Sequence, residues 1–439
     1  VIWITCKYTW ISKHLEGFGS NPKRYDKARE PPIVPLSEDL ESRRANPATT
    51  RAGALPYPGA DLMHIWELLD EPERERLEAI RAFFQDRVRP ESIGYWNREE
   101  FPHHLLQEMA AHGLGGIQVD GSSALFKGLV YVEAARADVS LSALVGIHNE
   151  LIVGMIHELG SQAQKDAWLP RLTNFAALGA FALTEPGHGS DIAGGLSTTA
   201  TRTGDEWVIN GAKRWIGSGT IADFALVWAR DTGDGQIKAF IVEAGSQGFS
   251  ATKIGNKIGL RIMQNADLEL DHVRVPEANR LPGVTNFAEA NELLKHSRAW
   301  VGWQAAGVQL GIFDIARDYS LTREQFGQQI AKFQLVQLPL SEILGNAMAS
   351  LSLMVGVARL QSLDKLEMVQ AAMAKATTTR LARESAARGR ALLGGNGVTS
   401  DHEMAKLFGD TEILYTYEGT YEINSLIVGR AVTGVSAFV

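Results

Sequence analysis

The stretch TTATRTGDEWVING, residues 198–211, decides how the rest of the chain is read. Threonine, tryptophan, valine and isoleucine favour a pleated, half-buried surface. Thr203-Gly204-Asp205 and Asn210-Gly211 are turn signals, so the segment reads strand, turn, strand, turn. The pattern continues downstream. FALVWAR (224–230) and IKAFIVE (237–243) flank the loop DTGDGQ, and in ADLELDHVRV (266–275) Leu268 and Leu270 alternate with acidic residues. Short strands this close together, with no helices between them, predict an antiparallel β-barrel rather than a doubly wound sheet.

On both sides of this block the period changes from two to about 3.6. In DEPERERLEAIRAFFQDRVRP (70–90), Leu77, Ile80, Phe84 and Val88 recur at helical spacing. Pro72 suits a first turn and Pro90 is expected to end the helix. Long helices are also expected over 287–319, 334–360 and 367–392, the last ended by Gly394-Gly395-Asn396-Gly397, with two shorter ones after it. The fold class is therefore α+β: an N-terminal helical domain (61–178), a central β-barrel domain (179–286) and a C-terminal helical bundle (287–439). Residues 1–60, with GSNPKRYDKAREPPIVP, show neither period and read as an extended or disordered segment.

Composition removes several function classes. The net charge of −8, without a basic run, argues against a nucleic-acid surface. One cysteine among 439 residues leaves no disulfide framework and no cysteine-based metal site. His157-Glu158 has no second histidine four residues on, so there is no zinc-protease motif, and His103 and His104 read as surface residues. GHGSDIAG (187–194) lacks dinucleotide-fingerprint spacing. No stretch reads as a membrane span, because His148, Asn149 and Glu150 interrupt the most apolar one. VIWITCKYTW (1–10) has no secretion-signal pattern. The expected location is cytoplasmic, of bacterial type, with mitochondrial and peroxisomal sites as alternatives.

Three segments carry chemistry. FALTEPGHGSDIAGG (181–195) is a strand followed by a loop of small residues, suited to holding a heterocycle or phosphate by backbone N–H groups. NGAKRWIGSGTIADF (210–224) sets Trp215 beside Gly217, Ser218 and Gly219, where another flat body could approach. YTYEGTYEIN (415–424) places Glu418 between tyrosines just before a helix. Taken alone, each has an ordinary reading: a turn, a core tryptophan, a solvated glutamate.

Together they resemble the acyl-CoA dehydrogenases and short-chain acyl-CoA oxidases, over roughly residues 61–438. ALTEPGHGSD (182–191) is similar to one family signature, AARGRALLGGNGVTSDHEMAKLFGD (386–410) to a second, and YEGT (417–420) to the catalytic loop. The resemblance implies FAD, bound by Phe181, Leu183, Thr184, Ser190, Trp215 and Ile216. Arg323 and Phe326 would reach the cofactor of an adjacent subunit in a homotetramer or homodimer. Gly394, Gly395, Gly397, Thr420 and Glu422 would complete the cofactor site. Ser190, Arg298, Tyr417 and Gly419 would contact the acyl-CoA.

The reaction implied is α,β-dehydrogenation of a short-chain acyl-CoA to the trans-2-enoyl-CoA, as in fatty-acid β-oxidation. A base must take the α-proton while the flavin accepts the β-hydride. Some family members carry that base near the arginine of SRAW (297–300). Here that position is Ser297, so Glu418 is the catalytic candidate. Its backbone N–H would help to hold the enolate oxygen, as in the family. Two departures bear on substrate and acceptor. Ser142, in VSLSALVG (139–146), stands where glutaryl-CoA dehydrogenases carry an arginine for a distal carboxylate, although GRAVTGVSAF (429–438) resembles their ending. Gly217 stands where most dehydrogenases carry threonine. In this it resembles short-chain oxidases, as do NKIGLRIMQNADLEL (256–270) and TYEGTYEIN (416–424). The acceptor is thus an electron-transfer flavoprotein or O2. The alternatives are an oxidase, a glutaryl-CoA dehydrogenase or, in another class, a flavin-free scaffold relative. Intact Glu418, Arg323 and Ser190 oppose the last.

Overall fold

The structure is a computed structural model, and it describes residues 61–437; the expectation for the segment 1–60 therefore lies outside the described residues. The first helix, α1 (Glu71–Phe83), starts at Asp70, whose carboxylate accepts from Glu73 N, and carries Pro72 in its first turn. Leu77, Ile80 and Phe83 form its buried face. Pro90 does not end it. Residues Phe84–Val88 widen into a π-helical turn, and the helix continues as α2 (Arg89–Arg98). Proline has no N–H and crowds the carbonyl four residues back; the wider turn accommodates both defects. The stop comes instead at Glu99, which turns left-handed at φ 57.

The lobe continues with α3 (Leu105–Ala111), α4 (Ala124–Ala137) and α5 (Val139–Gly146). A second π-helical stretch, Ile147–Val153, links α5 to α6 (Gly154–Leu159), and α7 (Gln162–Leu172) leads to the sheet. Two helical stretches, Val139–Leu159 and Gln334–Ser362, are apolar and long enough to cross a bilayer. The first is 94% buried inside the protein, as a core helix should be, and the second packs one face on neighbouring helices.

The central lobe is a curled seven-stranded sheet: β1 (Gly179–Ala182), β2 (Thr199–Thr203), β3 (Glu206–Ile216), β4 (Phe224–Asp231), β5 (Ile237–Glu243), β6 (Phe249–Lys253) and β7 (Ala266–Pro276). Its order is β1-β4-β2-β3-β7-β6, with β5 also on β4. The expectation of a purely antiparallel barrel needs correction, because β1 and β2 both run parallel to β4. The register explains why. β1 covers Phe224 to Val227 and β2 covers Arg230 and Asp231, so the two are halves of one path along β4. Residues 183–198, including the short helix α8 (Ile192–Gly195), are an excursion out of that path. A hairpin reading of neighbouring strands cannot anticipate such a detour.

The C-terminal lobe is built on α9 (Phe287–Thr322), which packs against α4, α10 (Gln334–Ser362) and α11 (Met368–Leu392). A two-stranded hairpin, β8 (Glu324–Gln325) and β9 (Gln328–Gln329), follows α9. Two shorter helices, α12 (Met404–Thr416) and α13 (Tyr421–Thr433), pack on α11 and enclose the loop that carries Glu418.

Candidate active site

The turn between α12 and α13 is built from two left-handed residues, Glu418 (φ 55) and Gly419 (φ 78). A non-glycine residue in this region costs about 1–2 kcal/mol, and strain of that kind persists only where its surroundings enforce it. The surroundings here are polar. Lys375 Nζ, from α11, donates to Tyr415 O at 3.0 Å and to Gly419 O at 2.6 Å. Asn424 Nδ2 donates to Gly419 O and Thr420 O, at 2.8 and 3.0 Å. Arg298, half-buried on α9, donates through Nε to Asn424 Oδ1 and through Nη1 to Leu294 O. Burial pulls Arg298 below its ordinary value, and the charge of Glu418 opposes that. Thr420 caps α13 by accepting from Ile423 N at 3.2 Å, while Glu422 is exposed.

Tyr415 and Tyr417 turn to different partners. Tyr415 stacks on Tyr421, with centroids 4.9 Å apart, and Arg383 covers it at 4.2 Å. Tyr417 turns inward. Its ring meets Trp300 edge-on at 5.7 Å, and its hydroxyl donates to Gln304 Oε1. Gln304 Nε2 donates to Ser142 Oγ (3.0 Å), which donates to Tyr131 O (3.1 Å). Ser142 is thus tied to the floor beneath Tyr417 and fully buried. Ser297, also buried, donates to Leu294 O at 2.8 Å and cannot serve as a base.

On the sheet, Thr184 O accepts from Arg214 N at 2.9 Å, which fixes the 183–198 excursion beside the strand that carries Trp215. Glu185 and Lys213 lock the same junction from inside. Lys213 Nζ donates to Leu183 O (3.1 Å) and Glu185 Oε1 (2.9 Å), and Glu185 also accepts from Ser197 N (2.7 Å) and Thr198 N (2.8 Å). Burial works against the Glu185 charge, but hydrogen bonds from Ser197, Thr198 and Lys213 outweigh it and hold the carboxyl at about 2. Lys213 makes fewer bonds, and burial pushes it down to about 8.

Trp215 sits where the β3 register is irregular, at φ 65, and leaves 52% of itself open to solvent. An open indole beside a loop of small residues fits a flat ring system. Phe181 packs edge-on against Trp228, Leu183 and Ile216 are buried, and Ser190 is exposed at the loop tip. A Cβ on Gly217 would lie 2.8 Å from Ile147 Cδ1, so this position is closed to side chains unless Ile147 moves. Ser218 does not replace the missing hydroxyl, because its Oγ faces Met263 Sδ at 3.7 Å.

Gly394 is left-handed at φ 60, Gly395 is exposed, and a Cβ on Gly397 would strike Arg390 O at 2.2 Å. Arg323 and Phe326 stand apart from this group on the β8–β9 hairpin, with Phe326 93% exposed. A cavity of about 360 Å³ lined by Tyr131, Glu150, His296, Trp300 and Trp303 shares Trp300 with this region, but Glu418 does not line it. Glu418 stands on the turn, where charge and strain converge, and not in that cavity.

Three descriptions match consecutive parts of the chain: acyl-CoA dehydrogenase N-terminal domain at 70–176, middle domain at 180–273 and C-terminal domain at 287–433. The human mitochondrial short-chain specific acyl-CoA dehydrogenase is 30% identical over 90% of this chain and 98% of its own. The chain belongs to the acyl-CoA dehydrogenase family. Solved structures agree with this membership. A glutaryl-CoA dehydrogenase from Mycobacterium smegmatis superimposes with a TM-score of 0.83 at 36% identity, over 87% of this chain and all of that one. A second, in complex with FADH2, gives 0.82 at 32% identity, over 85% and 97%.

Membership makes this an oxidoreductase fold of acyl-CoA oxidation, and it draws notice to residues that motif reading passed over. Lys375, Asn424, Gln304 and the Glu185–Lys213 pair are such residues. Lys213 had a signal. It follows Trp207 and Ile209 on the inward face of β3, and a lysine at an inward position demands a carboxylate. Lys375 had one as well, since it shares the buried face of α11 with Ala371, Thr378 and Ala382.

Proposed function

We propose that this acyl-CoA dehydrogenase oxidises a short straight or lightly branched monocarboxylic acyl-CoA to its trans-2-enoyl-CoA, with Glu418 as the base. The observation that carries this reading is the strained turn. Glu418 is the residue that Lys375, Asn424 and Arg298 together hold out between α12 and α13. Its carboxylate makes none of these bonds itself, so it is available to take a proton. Ser297, the alternative position, is committed to Leu294 O.

Phe181, Leu183, Thr184, Ser190, Trp215 and Ile216 would hold FAD against the sheet, with Gly394, Gly395, Gly397 and Thr420 on the helical side. A flavin bound there supplies the hydride acceptor. The chain's own part is to orient the thioester, take the α-proton at the Glu418 carboxylate and exclude water. Tyr417 is bonded to Gln304 and packs edge-on against Trp300, and these large side chains fill space, which supports a short acyl group. Arg136, the cation that precedes the Ser142 segment, is bound by Asp314 at 2.6 and 2.9 Å, which supports a substrate with one carboxyl function. An electron-transfer flavoprotein is the proposed acceptor. A homotetramer or homodimer would give exposed Phe326 and Arg323 a cofactor to meet across the interface.

Replacing Glu418 by Gln tests the base. Glutamine keeps size and hydrogen bonding but cannot take the proton. Flavin content should persist, while the anaerobic bleaching of flavin by butyryl-CoA should slow by at least ~10²–10⁴. Bleaching at wild-type speed would place the base elsewhere. Gly217 supports a second reading, the oxidase, since no hydroxyl stands there. On that reading the reduced enzyme reoxidises rapidly in air, and Gly217→Thr slows it. Slow reoxidation that Gly217→Thr leaves unchanged would remove the oxidase.

A further inference from the structure

Lys375 has a role that the reaction as described does not use. It lies on the inner face of α11 and is fully buried, among Ala371, Ala372, Ala374, Thr378 and Thr379. A lysine in such a place must be compensated. Its two hydrogen bonds go to main-chain carbonyls, Tyr415 O at 3.0 Å and Gly419 O at 2.6 Å. These carbonyls bracket Glu418. The bonds close the chain into a loop whose tip is the left-handed Glu418–Gly419 pair. Asn424 shares the Gly419 carbonyl at 2.8 Å, so the clamp has a second, neutral arm.

The charges that act on Lys375 come from few directions. Glu418 is the strongest attractive one; Arg298 from α9 repels, and Glu422 from α13 attracts more weakly. The other helices packed on α11, α10 and α12, contribute no charge to this balance. Burial nevertheless pushes the ammonium down to about 7. The tyrosines at the end of α12, Tyr415 and Tyr417, face the same loop and stay neutral, since burial pushes both hydroxyls up.

We propose that Lys375 is a positioning residue: its two carbonyl bonds hold the Glu418 turn in its strained shape and so set where the Glu418 carboxylate stands. This rests on Glu418 being the base. Donation to carbonyls needs N–H groups, which both the ammonium and the neutral amine retain, so the clamp does not depend on the charge of Lys375.

The test uses the flavin-loaded enzyme and two readouts. The first is the rate of anaerobic flavin reduction by butyryl-CoA. The second is amide hydrogen exchange over 415–424, which does not depend on turnover. Lys375→Met, which removes the donors at similar volume, should speed exchange of the 415–424 segment about tenfold, and lower kcat more than it raises KM. Lys375→Arg keeps a cation but displaces the donors, so loop protection should fall with it too. Unchanged exchange in Lys375→Met overturns the clamp. If Lys375→Met does not fold, Lys375→Arg decides, because wild-type exchange despite displaced donors overturns the proposal. Failure of the base assignment would look different: Glu418→Gln would remain active.

Discussion

Lys213→Met should weaken the protein and loosen its cofactor site in a way that pH reveals. The lysine is out of solvent and so is its partner Glu185. Removing one member of a buried pair costs about 3–5 kcal/mol when the survivor is left alone. Glu185 keeps its donors from Ser197 and Thr198, so the lower end, about 3 kcal/mol, is expected. The acid behaviour has a definite sign. Folding holds the Glu185 carboxyl at about 2, below the ordinary 4.5. Its contribution is therefore complete above pH 4.5 and is lost as pH falls toward 2. Without the ammonium that window moves up, and the variant should lose stability and flavin at higher pH than wild type. The assay is urea unfolding at pH 7 and pH 4, with flavin absorbance per subunit, closed as a cycle with Glu185→Gln and the double variant. A loss under about 0.5 kcal/mol with full flavin content would mean that the pair does not hold the 183–198 excursion.

Two further outcomes follow from the same reasoning. Glutaryl-CoA should be a poorer substrate than butyryl-CoA by ~10²-fold or more in kcat/KM, because a distal carboxylate near Ser142 would lose its water and find Arg136 already bound to Asp314; equal efficiencies would refute this. Lys406→Met should cost about 3–5 kcal/mol in urea unfolding, since it leaves the buried carboxylates of Asp138 and Asp410, 2.9 and 3.0 Å from Nζ, without their cation, and a neutral result would show that their remaining hydrogen bonds suffice.

Much of the architecture was legible because it depends on local period. The long helices of the C-terminal lobe start and stop within a few residues of their apolar repeats, and β3, β4, β5 and β7 follow their alternation and turns. What was not legible depends on distant partners. Nothing in Gly179–Ala182 says that it lies in line with β2 along β4, because that geometry is set by β4. Pro90 looked like a stop, and only the π-helical turn before it allows the helix through. At the site, YEGT marked the turn, but Tyr415 and Tyr417 do not share one environment. Tyr415 found Tyr421 and Arg383, partners that helix packing supplies.

The residues that sequence reading missed share a property. Lys213, Lys375 and Lys406 are among the largest side chains removed from solvent, and each joins pieces that are far apart in the chain. Lys213 ties β3 to the 183–198 excursion. Lys375 ties α11 to the Glu418 turn. Lys406 brings Asp138, the cap of α5, to Asp410 on α12. Asp410 also accepts from Trp96 Nε1 at 3.1 Å and from Leu260 N at 2.6 Å, so the N-terminal lobe, the sheet lobe and the bundle meet at one carboxylate. Apolar contacts between such lobes would hold them together but tolerate small slides. A charge-assisted bond does not, because a slide of one ångström leaves a buried charge unsatisfied. On the proposed reading, a base held at a fixed place between a sheet and a bundle gains from that intolerance, and of the three lysines it is Lys375 that bonds the Glu418 turn directly.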